Sequence, residues 1–129
     1  MSTVNLKKLA VGMRTIEDLE MRLKFNIEKN GELIHITRNK PKRSEELCNG
    51  GSLYWVIKGV ICARQKIVAI TKQEDSDGIK RCKIFLNDTI IKTTPIRKRP
   101  FQGWRYLKRN KTPADIADPV TGTFEDDIP

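Results

Sequence analysis

The stretch SLYWVIKGVICARQKIVAIT, residues 52–71, decides the fold. It contains two runs of apolar and β-branched residues, Leu53–Ile57 and Ile67–Ile70, which are separated by a more polar middle. Such residues favour a pleated, half-buried surface, so the stretch predicts a long β-rich segment in the core. Gly59 lies inside this run and predicts a bulge, a bend or a close approach of two backbones.

The first of these two runs also predicts which side chains are buried. Successive residues of a strand point to opposite faces, so Leu53, Trp55 and Ile57 share one face. That face is apolar throughout and is predicted to be core. Tyr54 and Lys58 share the other face, which we expect to line a groove.

The segment before this run predicts one strand and the main helix. Residues 3–11 are predicted to form an opening strand, and the break in alternation at Lys7 and Lys8 fits a bulge or a strand end. Residues 15–30 are predicted to form an amphipathic helix. Thr15 is placed to cap its start, and Asn30 with Gly31 predicts its end.

The remaining pattern predicts an α+β fold. Further strands are expected at residues 33–38, 81–86 and 89–94, with one helical turn at 44–48. The result is a small, mostly antiparallel curved sheet or partial barrel with one main helix at 15–30. His35 alternates with Leu33 on the second predicted strand and is interpreted as a satisfied core histidine.

Charge is unevenly distributed along the 129 residues, whose formal net charge is +9. Residues 115–129 contain five acids and no base, so residues 1–114 hold all 25 bases and 11 of the 16 acids. We therefore predict a single α+β domain at 1–114 and a flexible acidic tail at 115–129. Residues 89–114 contain eight cations and no acid, a self-repelling arrangement that predicts an anionic partner.

Several classes of protein are excluded by the composition. No apolar run approaches the ~18 residues that a membrane-spanning helix needs, and residues 1–9 lack the apolar segment of a secretory signal. Cys48, Cys62 and Cys82 are an odd number without a CxxC pair, which indicates free thiols and a cytoplasmic protein. Their irregular spacing with His35 does not predict a zinc site. No catalytic motif is present, so enzymatic activity stays open, and no cofactor is predicted.

Three strings carry a resemblance to a known family: ITRNKPKR at 36–43, GGSLYWVIKG at 50–59 and FQGWRYL at 101–107. Together they resemble the uncharacterised bacterial family catalogued as domain of unknown function 1489. The resemblance covers about residues 4–109 and leaves the acidic tail outside. It implies that the last two strings are the family's signature, and it brings no catalytic assignment.

A second likeness concerns the shape of the fold alone. A helix, a strand ending in Thr37 and Arg38, and a turn at Gly50 and Gly51 are similar to the PUA-like barrels, which include the ASCH and EVE domains. Those domains are commonly linked to RNA or modified bases. A likeness at this level carries no function by itself.

Our leading hypothesis is a small nucleic-acid-binding module that favours RNA. Its partner is RNA, another nucleic acid or another phosphate-bearing ligand, held in a basic groove with aromatic stacking. The predicted contacts are Arg38, Lys42, Arg43, Tyr54, Lys58, Arg64, Arg97, Arg99, Trp104, Arg105 and Tyr106.

Three alternatives stay open at this point. The same cations suit an enzyme that acts on a phosphorylated small molecule or a nucleotide. They also suit a protein-interaction subunit whose acidic tail folds over its own basic face. The last reading is a basic surface without a specific ligand, with Trp104 in the core.

Overall fold

A computed structural model describes residues 2–31, 34–37, 40–74, 76–99, 101 and 103–116. Within these ranges the chain forms an α+β fold, as predicted. The elements in chain order are β1 (Val4–Leu9), α1 (Ile16–Asn30), β2 (Ile34–Thr37), α2 (Ser44–Leu47), β3 (Ser52–Ile57), β4 (Val60–Glu74), β5 (Lys80–Leu86), β6 (Ile91–Arg97), β7 (Trp104–Lys108) and a 3-10 turn (Arg109–Lys111).

The strands form one open, mixed sheet in the order β2-β5-β4-β3-β1-β7, with β6 paired to β4. The pair β1–β3 is parallel, and the other pairs are antiparallel. The first part of β4, residues 60–64, lies between β3 and β6, while its second part pairs with β5. The mostly antiparallel sheet predicted from the sequence is confirmed.

Helix α1 has the ends that the sequence predicts. The Thr15 hydroxyl accepts a hydrogen bond from the Asp18 amide at 3.1 Å, which satisfies one of the unpaired donors at the helix start. Gly31 ends the helix with a φ of 77°, a conformation that glycine adopts without steric cost.

The run at 52–71 contains a turn that the sequence did not predict. β3 and β4 are joined by Lys58 and Gly59, whose φ values of 51° and 76° are both positive, as in a type I′ hairpin. Of the three predicted roles of Gly59, the bulge is wrong, while the bend is found in this turn and the close backbone approach is found with Lys98. The bulge lies at Cys62, where the register of β4 shifts against both β3 and β6.

Both faces of β3 are buried, in two separate clusters. Leu53, Trp55 and Ile57 pack in the main core, as the alternation predicts, and α1 covers it with Leu19 and Leu23. A second, smaller cluster lies on the opposite face of the sheet. Its buried members are Tyr54, Val56, Ile61 and Leu107.

The two lysines of β1 belong to opposite faces of this sheet. β1 runs without a register shift from Lys7 opposite Tyr54 to Lys8 opposite Trp55 and on to Leu9. The predicted bulge or strand end at these lysines is therefore wrong. The break in apolar alternation has another origin: Lys7 lies on the Tyr54 face and Lys8 on the Trp55 face.

The segment after β7 crosses to the far edge of β6. The Thr94 amide donates to the Ala114 carbonyl, and the Ile116 amide donates to the Lys92 carbonyl, each at 2.8 Å. Thr93 and Asp115 form an isolated antiparallel β-bridge between these two bonds. On a flat sheet, the distance from β7 to the outer edge of β6 would be five strand spacings, about 24 Å. The six residues from the end of β7 to Ala114 reach only ~20 Å when fully extended. The sheet is therefore strongly curved, although it does not close into a barrel. Residues 117–129 lie outside the described chain, so the flexible tail stays a prediction.

Candidate nucleic-acid interface

A row of polar side chains crosses one face of the sheet on four neighbouring strands. Arg105 of β7 is opposite Lys7 of β1, Lys7 is opposite Tyr54 of β3, and Tyr54 is opposite Arg64 of β4. Register partners in a sheet point to the same side, so these four residues share the face of the smaller cluster.

Five cations surround Phe101 at the β7 end of this row. They line a shallow depression of about 510 Å³ together with Phe101 and Tyr106, and none of its described lining residues is acidic. We call this set the cationic face. Its members are Lys7, Arg97, Lys98, Arg99 and Arg105.

Phe101 lines the same depression and contacts two cations of the cationic face. Lys7 Nζ lies 5.4 Å and Arg105 Cζ 5.9 Å from the centroid of the Phe101 ring. Both distances are in the range of cation–π contacts. Lys7 has a pKa below its usual value, first because of burial and then because of the charges of Lys98 and Arg105. The charges of the cationic face therefore disfavour the protonated form of Lys7.

The basic run at 97–99 is positioned by strand pairing. β6 continues through Pro95 beyond its predicted end at Thr94, and Arg97 pairs with Val60 of β4. The Lys98 amide then donates to the Gly59 carbonyl at 2.7 Å. The β3–β4 turn thus fixes the backbone of this run. Pro100 lies outside the described residues.

The predicted aromatic platform lies on the other face of β7. Trp104 and Tyr106 alternate with Arg105, and their rings meet edge to face with centroids 5.1 Å apart. A groove that also includes Lys8, Ile36, Thr37 and Gly103 runs along them. β7 is an edge strand, so Tyr106 borders both this groove and the cationic face.

Arg43 belongs to the Tyr106 side and is already paired. Its amide donates to the Tyr106 hydroxyl at 3.1 Å, and its guanidinium lies 5.5 Å from the centre of that ring. The guanidinium also donates two hydrogen bonds to Glu46, of 2.9 and 2.8 Å. This contact, with a further hydrogen bond from Ser2, lowers the pKa of Glu46 to about 2. The charge of Arg43 is therefore locally neutralised.

The Arg64 end of the row is covered by the segment that follows β7. Arg64 donates to both carboxylate oxygens of Asp115, at 2.8 and 2.7 Å, and to the Ser52 hydroxyl at 2.8 Å. Arg64 in turn lowers the pKa of Asp115. Tyr54 is only 6% exposed, and burial raises the pKa of its hydroxyl, which is hydrogen-bonded to Thr112.

The predicted contacts therefore fall into distinct groups. The fold brings Arg97, Arg99 and Arg105 together on the cationic face. Arg43, Trp104 and Tyr106 form the neighbouring group across β7, while Tyr54 and Arg64 lie under residues 112–115. Lys58 and Lys42 are exposed in turns, and Arg38 lies outside the described residues.

Sequence reasoning missed two residues of this depression: Lys7 of the cationic face and Phe101. The signal for Lys7 was the broken alternation in β1, which we interpreted as a backbone irregularity. Phe101 opens the FQGWRYL string, and only the later residues of that string were predicted as contacts.

Neither a metal centre nor a membrane span is found in the described residues. All three cysteines are free, and no cluster of His, Cys, Asp and Glu in the described ranges is suited to hold a metal ion. No helix in the same ranges is long and apolar enough to cross a membrane.

Comparison with known proteins gives a family. The sequence profile described as "Protein of unknown function (DUF1489)" matches residues 6–129. The chain belongs to this family. The DUF1489 match extends through residues 115–129, which the sequence resemblance had left outside. No curated protein and no solved structure matches the chain, and the likeness to PUA-like barrels is not confirmed.

Proposed function

We propose that this DUF1489 protein binds nucleic acid, with a preference for RNA, through the cationic face. One observation carries the proposal: five cations converge around Phe101, and no described residue that lines the depression is acidic. Holding like charges together costs free energy, which phosphate groups would offset. Arginine is suited to this task because its planar fork binds phosphate oxygens in pairs.

The preference for RNA rests on Phe101 and on the shape of the site. The ring lies in a concave depression between cations, where an unpaired base could stack while the flanking phosphates contact Arg97 and Arg99. Proteins that recognise RNA by sequence most often target unpaired bases, because these can be splayed out and stacked. A shallow site of this kind suits a single strand better than an enclosed metabolite.

The direct test measures binding of single-stranded RNA over a range of salt concentrations. Each phosphate contact contributes about 0.7 to the negative log–log slope for a single strand. The double substitution Arg97→Gln, Arg99→Gln should therefore reduce the slope by about 1.4 and weaken binding. Lys24→Gln, Lys29→Gln is the matched control, since it removes two exposed charges from α1. Equal losses of RNA affinity in the two variants would mean that binding depends on the net charge of the protein and not on the cationic face.

The same experiment separates the proposal from an enzymatic site for a small phosphorylated compound. RNA binding should strengthen with oligonucleotide length until the cationic face is filled. Saturable binding of one nucleotide, unaffected by added length, would favour the enzyme.

We also propose a cytoplasmic location, which three free cysteines support.

A second candidate function is supported by the pair Arg64–Asp115. This contact places the first acid of the predicted tail on the same face of the sheet as Lys7 and Arg105. It supports an interaction subunit in which residues 117–129 compete with an acidic partner for the cationic face. A tail that masks the face should weaken RNA binding at low salt, which truncation tests directly.

A further inference from the structure

A pocket on the opposite side of the sheet has no role in the proposed function. It lies between α1 and the Trp55 face of the sheet and has a volume of about 170 Å³. Its wall is mainly apolar, with Leu19 and Leu23 from α1 and Trp55 and Leu86 from the sheet. Four polar or charged side chains also line it: Lys8, Arg22, Asn26 and His35.

The pocket lining is positively charged, and none of its described residues is acidic. Lys8 comes from β1 and Arg22 from α1. The ammonium group of Lys8 is partly removed from water, and this burial lowers its pKa. Partial burial of a cation is unfavourable, and an anion in the pocket would supply a counter-charge.

His35 gives a second, independent indication of a missing ligand. Its Nε2 is shielded from solvent and has no hydrogen-bond partner among the described residues. Buried polar atoms in folded proteins are nearly always hydrogen-bonded, and an exception calls for an explanation. The ring meets Trp55 edge to face at 5.8 Å. Its pKa is lowered to about 4, first by burial and then by the charge of Lys8, so the imidazole is neutral at pH 7.

Hydrogen bonds through Gln65 fix the position of Trp55 in the pocket wall. Trp55 Nε1 donates to Gln65 Oε1 at 2.8 Å, and Gln65 Nε2 donates to the Asn87 carbonyl at 2.9 Å. The polar edge of the indole is therefore satisfied, and the part of the ring that lines the pocket is apolar. This pre-formed wall lowers the cost of ordering a ligand against it.

We propose that this pocket binds a small organic anion, a carboxylate attached to a single ring or a short hydrocarbon. The carboxylate would lie towards Lys8 and Arg22, where it supplies a counter-charge to the partly buried Lys8. The apolar body would pack on Trp55 and the leucines of α1. The size agrees, because an apolar cavity of about 150 Å³ accommodates one benzene ring, and this pocket is slightly larger.

The site is separate from the cationic face. Lys7 belongs to the face that carries Tyr54, and Lys8 belongs to the face that carries Trp55. The two lysines are adjacent and chemically identical, so they form a matched pair for experiments. Binding at one site can fail without affecting the other.

Benzoate is the probe for the test, and benzyl alcohol is its uncharged control. His35 is the only histidine of the chain, so its imidazole gives a single set of NMR signals. The variant Trp104→Phe leaves Trp55 as the only indole, so fluorescence reports on the pocket wall. Benzoate should shift the His35 signals and change Trp55 emission in one saturable transition. Benzyl alcohol should bind about tenfold more weakly or worse, because it lacks the charge.

Substitution of Lys8 locates the charge that matters. Lys8→Met should weaken benzoate binding about tenfold or more, because it removes one strong charge contact. Lys7→Met should change benzoate binding by no more than about twofold, because Lys7 does not line the pocket. Lys7→Met should weaken RNA binding instead. If Lys8→Met does not fold, Arg22→Gln replaces it, because Arg22 is exposed on α1 and tolerates substitution. It should also weaken benzoate binding.

The His35 titration adds a readout that a purely structural role would not change. Lys8 and Arg22 are the other titratable side chains among the described lining residues, and the charge of Lys8 disfavours protonation of His35. Bound benzoate should offset them and raise the midpoint of the His35 titration by about one pH unit. Equal binding of benzoate and benzyl alcohol, or unchanged His35 and Trp55 signals, would overturn the proposal. Full displacement of benzoate by inorganic phosphate would also do so, since it would indicate a general anion site.

Discussion

The guanidinium of Arg64 holds both carboxylate oxygens of Asp115, at 2.8 and 2.7 Å, and ties the start of the acidic segment to β4. Arg64 is mostly buried, whereas the Asp115 side chain is 44% exposed. Solvent screens a pair of this kind, so its contribution to stability is modest.

We predict that Asp115→Asn lowers the free energy of unfolding by about 0.5 kcal/mol at pH 7. Arg64 depresses the pKa of Asp115 in the folded protein below its ordinary value of 3.8. The contribution is therefore complete above that value and is lost as the pH falls through the lowered pKa. Urea titrations should separate the variant from the native protein at pH 7, and the difference should shrink as the pH falls below 3.8. A constant difference in the free energy of unfolding between the two proteins at all pH values tested would instead attribute the effect to packing.

Truncation after Ile116 tests whether the acidic tail masks the cationic face. The cut removes Asp118, Glu125, Asp126 and Asp127 but keeps the pairing of residues 114–116 with β6. RNA affinity should rise several-fold at low salt and by less at about 0.5 M salt, where the Debye length is only a few ångströms. Unchanged affinity at low salt would argue against masking.

Gly51→Ala is predicted to be the most destabilising single-methyl addition at a described glycine. A Cβ at this position would overlap the backbone oxygens of Leu47 and Val4, and neither can move without shifting α2 or β1. We expect a loss of about 3 kcal/mol or more in urea unfolding. Gly78→Ala is the control, because its φ of 79° is strained for alanine but its Cβ meets open space. It should cost only about 1 kcal/mol.

The single histidine predicts a pH dependence of stability. Its pKa is 6.5 in an unfolded chain and about 4 in the fold, so the unfolded state takes up the proton first. Stability should therefore be highest above pH 6.5 and fall between pH 6.5 and about 4, by roughly 3 kcal/mol in total. His35→Phe should remove this component of the pH dependence. A slope that persists in the variant would place the titrating group elsewhere.

Local patterns predicted the elements whose signals are contained in a few neighbouring residues. The cap at Thr15, the end of α1 at Gly31 and the buried face of Leu53, Trp55 and Ile57 all follow from local sequence rules. These features depend on helix and strand periodicity, which the sequence shows directly.

Features that depend on distant pairing were missed. Lys58 adopts a positive φ that is unusual for lysine, so the tight turn of the β3–β4 hairpin is hidden inside an apparently continuous strand. The role of Lys7 appears only when β1 lies between β3 and β7. Arg64 and Tyr54 were predicted as ligand contacts because nothing local indicates that residues 112–115 cover them.

The crossing of residues 109–116 to β6 also bears on how the protein avoids self-association. Strand edges with free amide and carbonyl groups recruit further strands, and natural proteins shield them. Ala114 and Ile116 occupy part of the outer edge of β6 through their backbone bonds to Thr94 and Lys92. A chain ending before Pro113 would present β6 as an open template to other copies, and we expect it to form fibrillar aggregates rather than simply unfold.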